Sequence, residues 1–321
     1  MTLFTRRLKA SRGKNIESLA ISRRVRAEFI QRFGSVPYSV IRRNPTVKAI
    51  DWSAQDRSYG KVSHTALSEV DGIEGQEMQR AFETAYRGVR PSKARKEMAI
   101  SRFPQNVGQL LVKFYCPRGG IVYDPFAGHN SRMQLCYELG RCYHGFDVSI
   151  TFMKANIKIR QLLYKAGKGR LIPNEAWIRL ELQSSDDTGL PDDYADFTVT
   201  SPPYWDIEYY GDESEQLGKA ETYETFLDKI KEHLKENWRV LKPGAFSCWC
   251  INDFRKGGEY YMYHSDIAHL GIWAGFKLHT IYIIDIGVPA QGAFVQTIQG
   301  RMAFPKGHEY CIVFKKGAEN E

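Results

Sequence analysis

The sequence lacks the marks of a secreted, membrane-spanning or metal-stapled chain. Six cysteines, Cys116, Cys136, Cys142, Cys248, Cys250 and Cys311, include no C-x-x-C pair. Even with eight histidines present, neither a disulfide framework nor a zinc site is expected. No run approaches the roughly 18 apolar residues of a membrane span, and the apolar stretch 281–286 is already broken by Asp285. The opening MTLFTRRLKASRGK is basic but has no apolar core of a secretory signal. With only 13 prolines and 43% hydrophobic residues, disorder is excluded as well. What is left is a reduced, cytoplasmic, metal-free globular protein. Its 321 residues suffice for one large α/β domain or two modest ones.

What is present is unevenly placed. Residues 1–61 hold 14 Lys or Arg against 4 Asp or Glu, whereas residues 99–321 hold 25 against 27. The whole formal charge of +8 therefore resides in the first fifth of the chain. A solvated arm that aids solubility would look like this. So would a surface for a polyanion, because clustered cations release the counterions condensed on nucleic acid. Residues 16–33 repeat apolar positions at helical spacing up to Gly34, residues 35–43 look extended, and residues 76–86 look helical. The polar stretch 88–96, which contains Pro91, reads as a linker. The expected division is a basic N-terminal region, 1–98, followed by a larger domain, 99–321.

Beyond residue 99 strands and helices alternate. Helices are expected over 107–114, 131–139, 150–165 and 222–241. Strands are expected over 121–123, 142–146, 177–182, 196–200, 245–251, 277–285 and 309–315. Strands separated by helices of ten or more residues specify an α/β, doubly wound, mostly parallel sheet of Rossmann-like type. The last two runs, with no helix between them, suggest an antiparallel edge hairpin. Ligands of such sheets bind beyond the carboxyl ends of the strands, which is where Asp124, Asp147 and Ser201 fall.

Two constellations carry chemistry. In Asp124-Pro125-Phe126-Ala127-Gly128 a strand ends in an acid and a small-residue turn leads to a helix. Glycine lets backbone approach a ligand, and free N–H groups at a helix start favour electronegative atoms. Asp147 ends the next strand and suits either the two hydroxyls of a ribose or the cap of the following helix. The second constellation is Thr200-Ser201-Pro202-Pro203-Tyr204-Trp205. Consecutive prolines remove two donors and stiffen the chain. A strand-ending turn would use them so; a hydroxyl, a bare carbonyl and an aromatic face also suit a flat heterocycle bearing an exocyclic amine.

DPFAG followed by SPPYW resembles the S-adenosylmethionine-dependent DNA amino-methyltransferases, which modify cytosine N4 or adenine N6. FPQNVGQLLVKFYCPRGG is similar to the family's segment over the methionine end of the cofactor, and HEYCIVFKK to its closing strand. The resemblance runs from about Phe103 to Lys316. It implies S-adenosylmethionine as cofactor, held by Asp124, Pro125, Phe126, Ala127, Gly128, Asp147 and Asp186, and a catalytic loop of Ser201, Pro202, Pro203 and Tyr204. DNA is the implied partner, in a restriction-modification setting, with a homodimer allowed and no membrane. A serine opening the catalytic motif is the usual N4 choice, so cytosine is expected over adenine.

The chain departs from the family where FAGxG would have its second glycine: Gly128 is followed by His129-Asn130-Ser131. Asparagine tolerates the left-handed conformation better than most residues, so the turn can survive; His129 receives no role. Methylation at cytosine C5 needs a cysteine nucleophile, which SPPYW lacks, whereas amino methylation needs no covalent intermediate. A base inside a duplex is out of reach, so base flipping is implied. Competing readings are an RNA methyltransferase and a nucleic-acid-binding protein that keeps the fold without turnover. For DNA contact, Arg23, Arg24, Arg26, Arg42 and Arg43 suit phosphates, and residues 288–306 suit base edges.

Overall fold

The computed structural model describes residues 27, 31, 39–42, 103–128, 131–167, 176–208, 213–287 and 306–318. The chain divides into two units, Met1–Tyr38 and Ser39–Glu321. The expected helix over 16–33 apart from residues 27 and 31, the expected helix over 76–86, the linker 88–96, and Arg23, Arg24, Arg26 and Arg43 lie outside the described residues. So do His129 and positions 288–305.

The larger unit is built on an eight-stranded sheet. In chain order its elements are β1 (Val40–Arg42), α1 (Gln105–Tyr115), β2 (Ile121–Asp124), α2 (Ser131–Glu138), β3 (Cys142–Asp147), α3 (Ile150–Gly167), β4 (Ile178–Leu182) and β5 (Ala195–Thr200). A short 3-10 turn, Leu217–Lys219, precedes α4 (Tyr223–Val240), β6 (Leu241–Ile251), the small hairpin β7 (Phe254–Lys256) and β8 (Glu259–Tyr261), α5 (Tyr263–Trp273), β9 (Lys277–Asp285) and β10 (His308–Lys315). The strand order is β1-β9-β10-β6-β5-β2-β3-β4, with β7 and β8 apart as a two-stranded sheet.

From β4 through β6 every pairing is parallel, whereas β10 runs antiparallel to both β6 and β9. The fold is the doubly wound Rossmann-like α/β sheet that the alternation of elements specifies. The antiparallel pair is not the edge: β1 adds a parallel strand outside β9, pairing Val40 with Ile283 and Ile41 with Ile284. A segment inside the expected N-terminal region thus belongs to the sheet.

Parallel strands covered on both faces read as nearly continuous buried runs, and β3 and β5 bury five of their six residues each. One face packs Val107 and Leu111 of α1 and Leu135 of α2 against Val122 and Phe197. The other packs Phe226, Ile230 and Leu234 of α4 with Tyr263 and Ile267 of α5 against Trp249 and Phe314. The i, i+4, i+8 spacing makes the inner stripe of α4, and Thr222 starts the helix by accepting the Thr225 N–H at 3.1 Å. A buried relay fixes where this helix sits. Thr198 donates to Asn237 Oδ1 at 2.7 Å, while Asn237 Nδ2 and Trp249 Nε1 both donate to Ser247 Oγ, at 2.7 and 2.9 Å.

The winding order reverses between β2 and β5. From β2 the chain winds outward through β3 and β4, then returns to β5 and continues to β6. The crevice beyond the carboxyl ends of β2 and β5 is therefore where a ligand is received.

Candidate active site

Asp124 ends β2 with no exposure at all. Its Oδ1 accepts the Thr200 hydroxyl at 2.7 Å and the Phe126 N–H at 3.3 Å. Its Oδ2 accepts Arg132 Nε at 2.6 Å and the Tyr143 hydroxyl at 2.7 Å. One carboxylate thereby ties the ends of β2 and β5, a side chain of β3, and the start of α2. Its acceptor capacity is taken by the protein, and it is not among the residues that line the cleft. Ala127 is buried in the turn, and its N–H goes to Phe146 O at 2.8 Å.

Gly128 has φ +51°, the left-handed region that costs a β-carbon-bearing residue strain. Its N–H reaches Asp147 Oδ2 at 2.6 Å and its carbonyl accepts Asn156 Nδ2 at 2.7 Å. Asp147 Oδ1 accepts the Ser149 N–H at 2.8 Å. This acid caps the turn into α3 and also lines the cleft, with lone pairs to spare. Burial pushes its carboxyl up to about 6, against the pull of those two N–H groups.

After β4 the chain offers Gln183, Ser184 and Ser185 to the cleft, not Asp186, which is exposed. Ser185 is turned inward because its hydroxyl donates to Pro125 O at 2.7 Å and meets His233 Nδ1 at 2.9 Å. With the serine proton used on the carbonyl, the imidazole Nδ1 is the donor. Burial lowers His233 to about 4, so the ring is neutral at pH 7. It packs 4.8 Å from the Phe126 ring, which also meets Trp249 edge-on at 5.9 Å.

After β5, Ser201, Pro202, Pro203 and Tyr204 all line the same cleft as Pro125, Phe126, Gly128 and Asp147. Their loop is clamped. Tyr263 donates to Pro203 O at 3.2 Å, Trp205 Nε1 donates to Ala220 O at 2.9 Å, and the Asp206 N–H reaches Gly218 O at 3.0 Å. Tyr204 stands edge-on to Phe254 at 6.0 Å. Burial, with Glu309 and Glu208 nearby, raises its phenol well above the ordinary value, so it stays protonated. Sequence reasoning missed other lining residues: Arg132, Glu208, Glu215, His233, Cys250 and Glu309. Glu309 lies within the HEYC segment that carries the resemblance; Arg132 has no signal.

Residues 195–321 match the family model described as DNA methylase, of N6 and N4 type. That C-terminal stretch is similar to the DNA amino-methyltransferases that the sequence motifs resemble. No curated protein matches it. A candidate DNA modification methylase from Thermus thermophilus, also solved with S-adenosyl-L-methionine, is 25% identical over 40% of this chain and 47% of its own, with a TM-score of 0.31. The chain thus spans about half the length of that Thermus protein. A SAM-dependent methyltransferase from Methanosarcina mazei is 12% identical over 68% of this chain and all of its own, at 0.43. TrmN from Thermus thermophilus is 16% identical over 67% and 49%, at 0.42.

S-adenosylmethionine is the cofactor of the amino-methyltransferases, and the cleft fits it. The ligand carries a sulfonium, an ammonium and one carboxylate. The described lining holds four acids, Asp147, Glu208, Glu215 and Glu309, against one guanidinium, Arg132. Among the described residues, no helix is long and apolar enough to cross a membrane.

Proposed function

We propose that this enzyme transfers a methyl group to the exocyclic amine of a base flipped out of DNA, with N4 of cytosine preferred over N6 of adenine. The observation that carries the reading is that Ser201, Pro202 and Tyr204 share one cleft with Gly128 and Asp147. On this reading the acceptor motif after β5 and the ribose acid at the end of β3 flank β2 at the switch point of the sheet. S-adenosylmethionine supplies, when bound, a methyl group made electrophilic by its sulfonium.

The chain's residues do the rest. Asp147 accepts the ribose hydroxyls, with Gln183, Ser184, Val148 and Phe152 bounding the space for the purine. Phe126 and Pro125 form the floor between the two halves. The amine's lone pair is delocalised into its ring and must be localised before it can attack. Ser201 and the Pro202 carbonyl accept its two N–H bonds and draw the nitrogen toward tetrahedral geometry, at about 1–3 kcal/mol each. Holding the reactants in line supplies more, roughly 7–11 kcal/mol at best. Tyr204, kept neutral, stacks on the flipped base. A neutral serine leaves the base preference to cytosine, whose amine needs one side-chain acceptor beside the carbonyl.

DNA is the substrate on this reading, drawn by the basic first 61 residues. The experiment is digestion of methylated duplex to nucleosides. N4-methylcytosine is the expected product, and N6-methyladenine alone would end the cytosine assignment. Tyr204→Ala should cut turnover while leaving cofactor affinity within a few-fold, whereas Asp147→Ala should weaken cofactor binding first. Equal behaviour of the two variants would refute the division of roles.

A further inference from the structure

We propose that Arg132 is the receptor for the α-carboxylate of the cofactor's methionine moiety, and so sets the preference for ligands that carry this tail. The inference rests on the cofactor reading above and goes beyond the motifs that suggested it. Arg132 occupies the second position of α2, just past the turn where the family's second glycine is absent.

The argument begins with direction. Asp147 ends β3 and fixes the ribose; β4, with Gln183 and Ser184 after it, lies on the far side of β3 from β2. The purine therefore points toward β4. The transferable methyl must face Ser201 at the end of β5, on the other side of β2. The amino-acid tail is left the remaining wall, formed by Gly128, Phe103, Pro104 and Arg132.

The chemistry of that wall then decides. Arg132 is the only Lys or Arg among the described residues that line the cleft, and the only lining histidine is neutral. Among the described lining residues, Arg132 is the one cation that a carboxylate can meet. The guanidinium is built in, with only 5% of the residue exposed. Nε donates to Asp124 Oδ2 at 2.6 Å, and Nη2 donates to the Phe126 carbonyl and, at 3.3 Å, to the Ala127 carbonyl. Its carbon lies 5.3 Å from the centre of the Phe103 ring. Nη1 has no acceptor among the described residues. A guanidinium held on two of its three nitrogens is pre-organised, and a charge-assisted hydrogen bond from the third costs little ordering. Gln105 Nε2, bonded to Ser131 O at 3.2 Å, holds the Phe103–Pro104 segment beside it.

A clamp that merely braces the turn would use the same three bonds, so the test separates tail recognition from bracing. Affinities for S-adenosylhomocysteine and for 5′-methylthioadenosine, which has the same nucleoside and no amino-acid tail, are measured by titration calorimetry on the full chain. The native protein should prefer the former, and Arg132→Met should erase about 10- to 100-fold of that preference while methylthioadenosine affinity stays within a few-fold. Arg132→Lys, which keeps the charge and the fold more conservatively, should retain part of the preference. Equal loss for both ligands would mean a brace only and would overturn the proposal, as would an unchanged preference in both variants. If the native protein binds neither ligand, the cofactor reading itself falls. If it binds both equally well, that reading stands and the tail receptor does not.

Discussion

Asp124→Ala should damage the fold before it damages anything else. The carboxylate neutralises a buried guanidinium and accepts two buried hydroxyls and one backbone N–H. Leaving Arg132 without its partner costs about 3–5 kcal/mol, as for other buried pairs broken from one side. Orphaning Tyr143 and Thr200 adds about 1–3 kcal/mol each where no water reaches them. These terms share one network and do not add, so a net loss of about 4–6 kcal/mol is expected, a large part of a typical stability of about 5–15 kcal/mol. At about 2–4 °C per kcal/mol for a domain of this size, thermal unfolding should move down by roughly 10–20 °C. Asp124→Asn, which keeps shape and one acceptor, should lose less. Calorimetric unfolding beside titration with S-adenosylhomocysteine decides. A variant that unfolds within about 2 °C of the native protein yet no longer binds the ligand would show that Asp124 contacts the cofactor directly, against the geometry described.

Two further outcomes follow from the charges. Asp147 has its carboxyl raised to about 6 by burial, so in the free protein it becomes protonated as pH falls through 6 and loses one of its acceptor sites. S-adenosylhomocysteine affinity should be flat above pH 7 and fall about tenfold by pH 5; Asp147→Asn should bind weakly and without that slope, and a flat native profile would refute the role. Neutralising Arg23, Arg24 and Arg26 together should reduce the slope of log DNA affinity against log salt by up to about three units. Cofactor affinity and the methylated sequence should not change, and an unchanged slope would show that this segment does not face DNA.

Element type is legible wherever periodicity is long. The stripe of α4 and the apolar runs of β3 and β5 stand within a residue or two of where the pattern puts them. Three misses have separate causes. β6 begins at Leu241, before Pro243 and Gly244, because Gly244 takes φ +78° and its N–H reaches Lys316 O at 2.9 Å; a proline-glycine pair that normally ends structure here opens a strand. The hairpin of β7 and β8 turns at Gly257-Gly258, at φ +59° and +94°, the turn that two-residue hairpins favour, but its three-residue strands give no alternation to read. α5 escapes the pattern although Tyr263, Ile267 and Gly271 recur every four residues; Gly271 is there because the Phe314 ring would lie 2.3 Å from a β-carbon, a tertiary demand. At the site, motifs find the strand ends but not side-chain direction. Whether an acid at a strand end faces in or out depends on partners 8, 19 and 76 residues away, and that distance hides Asp124's commitment to Arg132, Tyr143 and Thr200.

On the proposed function, the distribution of charge answers two ligands of opposite sign. A nucleic acid is recruited by cations that can shed condensed counterions, and those are concentrated in residues 1–61. The cleft has the reverse task, since a sulfonium and an ammonium must be drawn in from water. Its described lining accordingly carries Asp147, Glu208, Glu215 and Glu309. An acidic lining would repel phosphates if they approached it, so it also favours a geometry in which only an uncharged base enters and the backbone stays outside. Arg132 is compatible with that arrangement because Asp124 balances it from beneath, leaving a donor without a broad positive field. Replacing the pair by uncharged residues would therefore change what the cleft binds, through the tail of the cofactor, more than how strongly DNA is attracted to the chain as a whole.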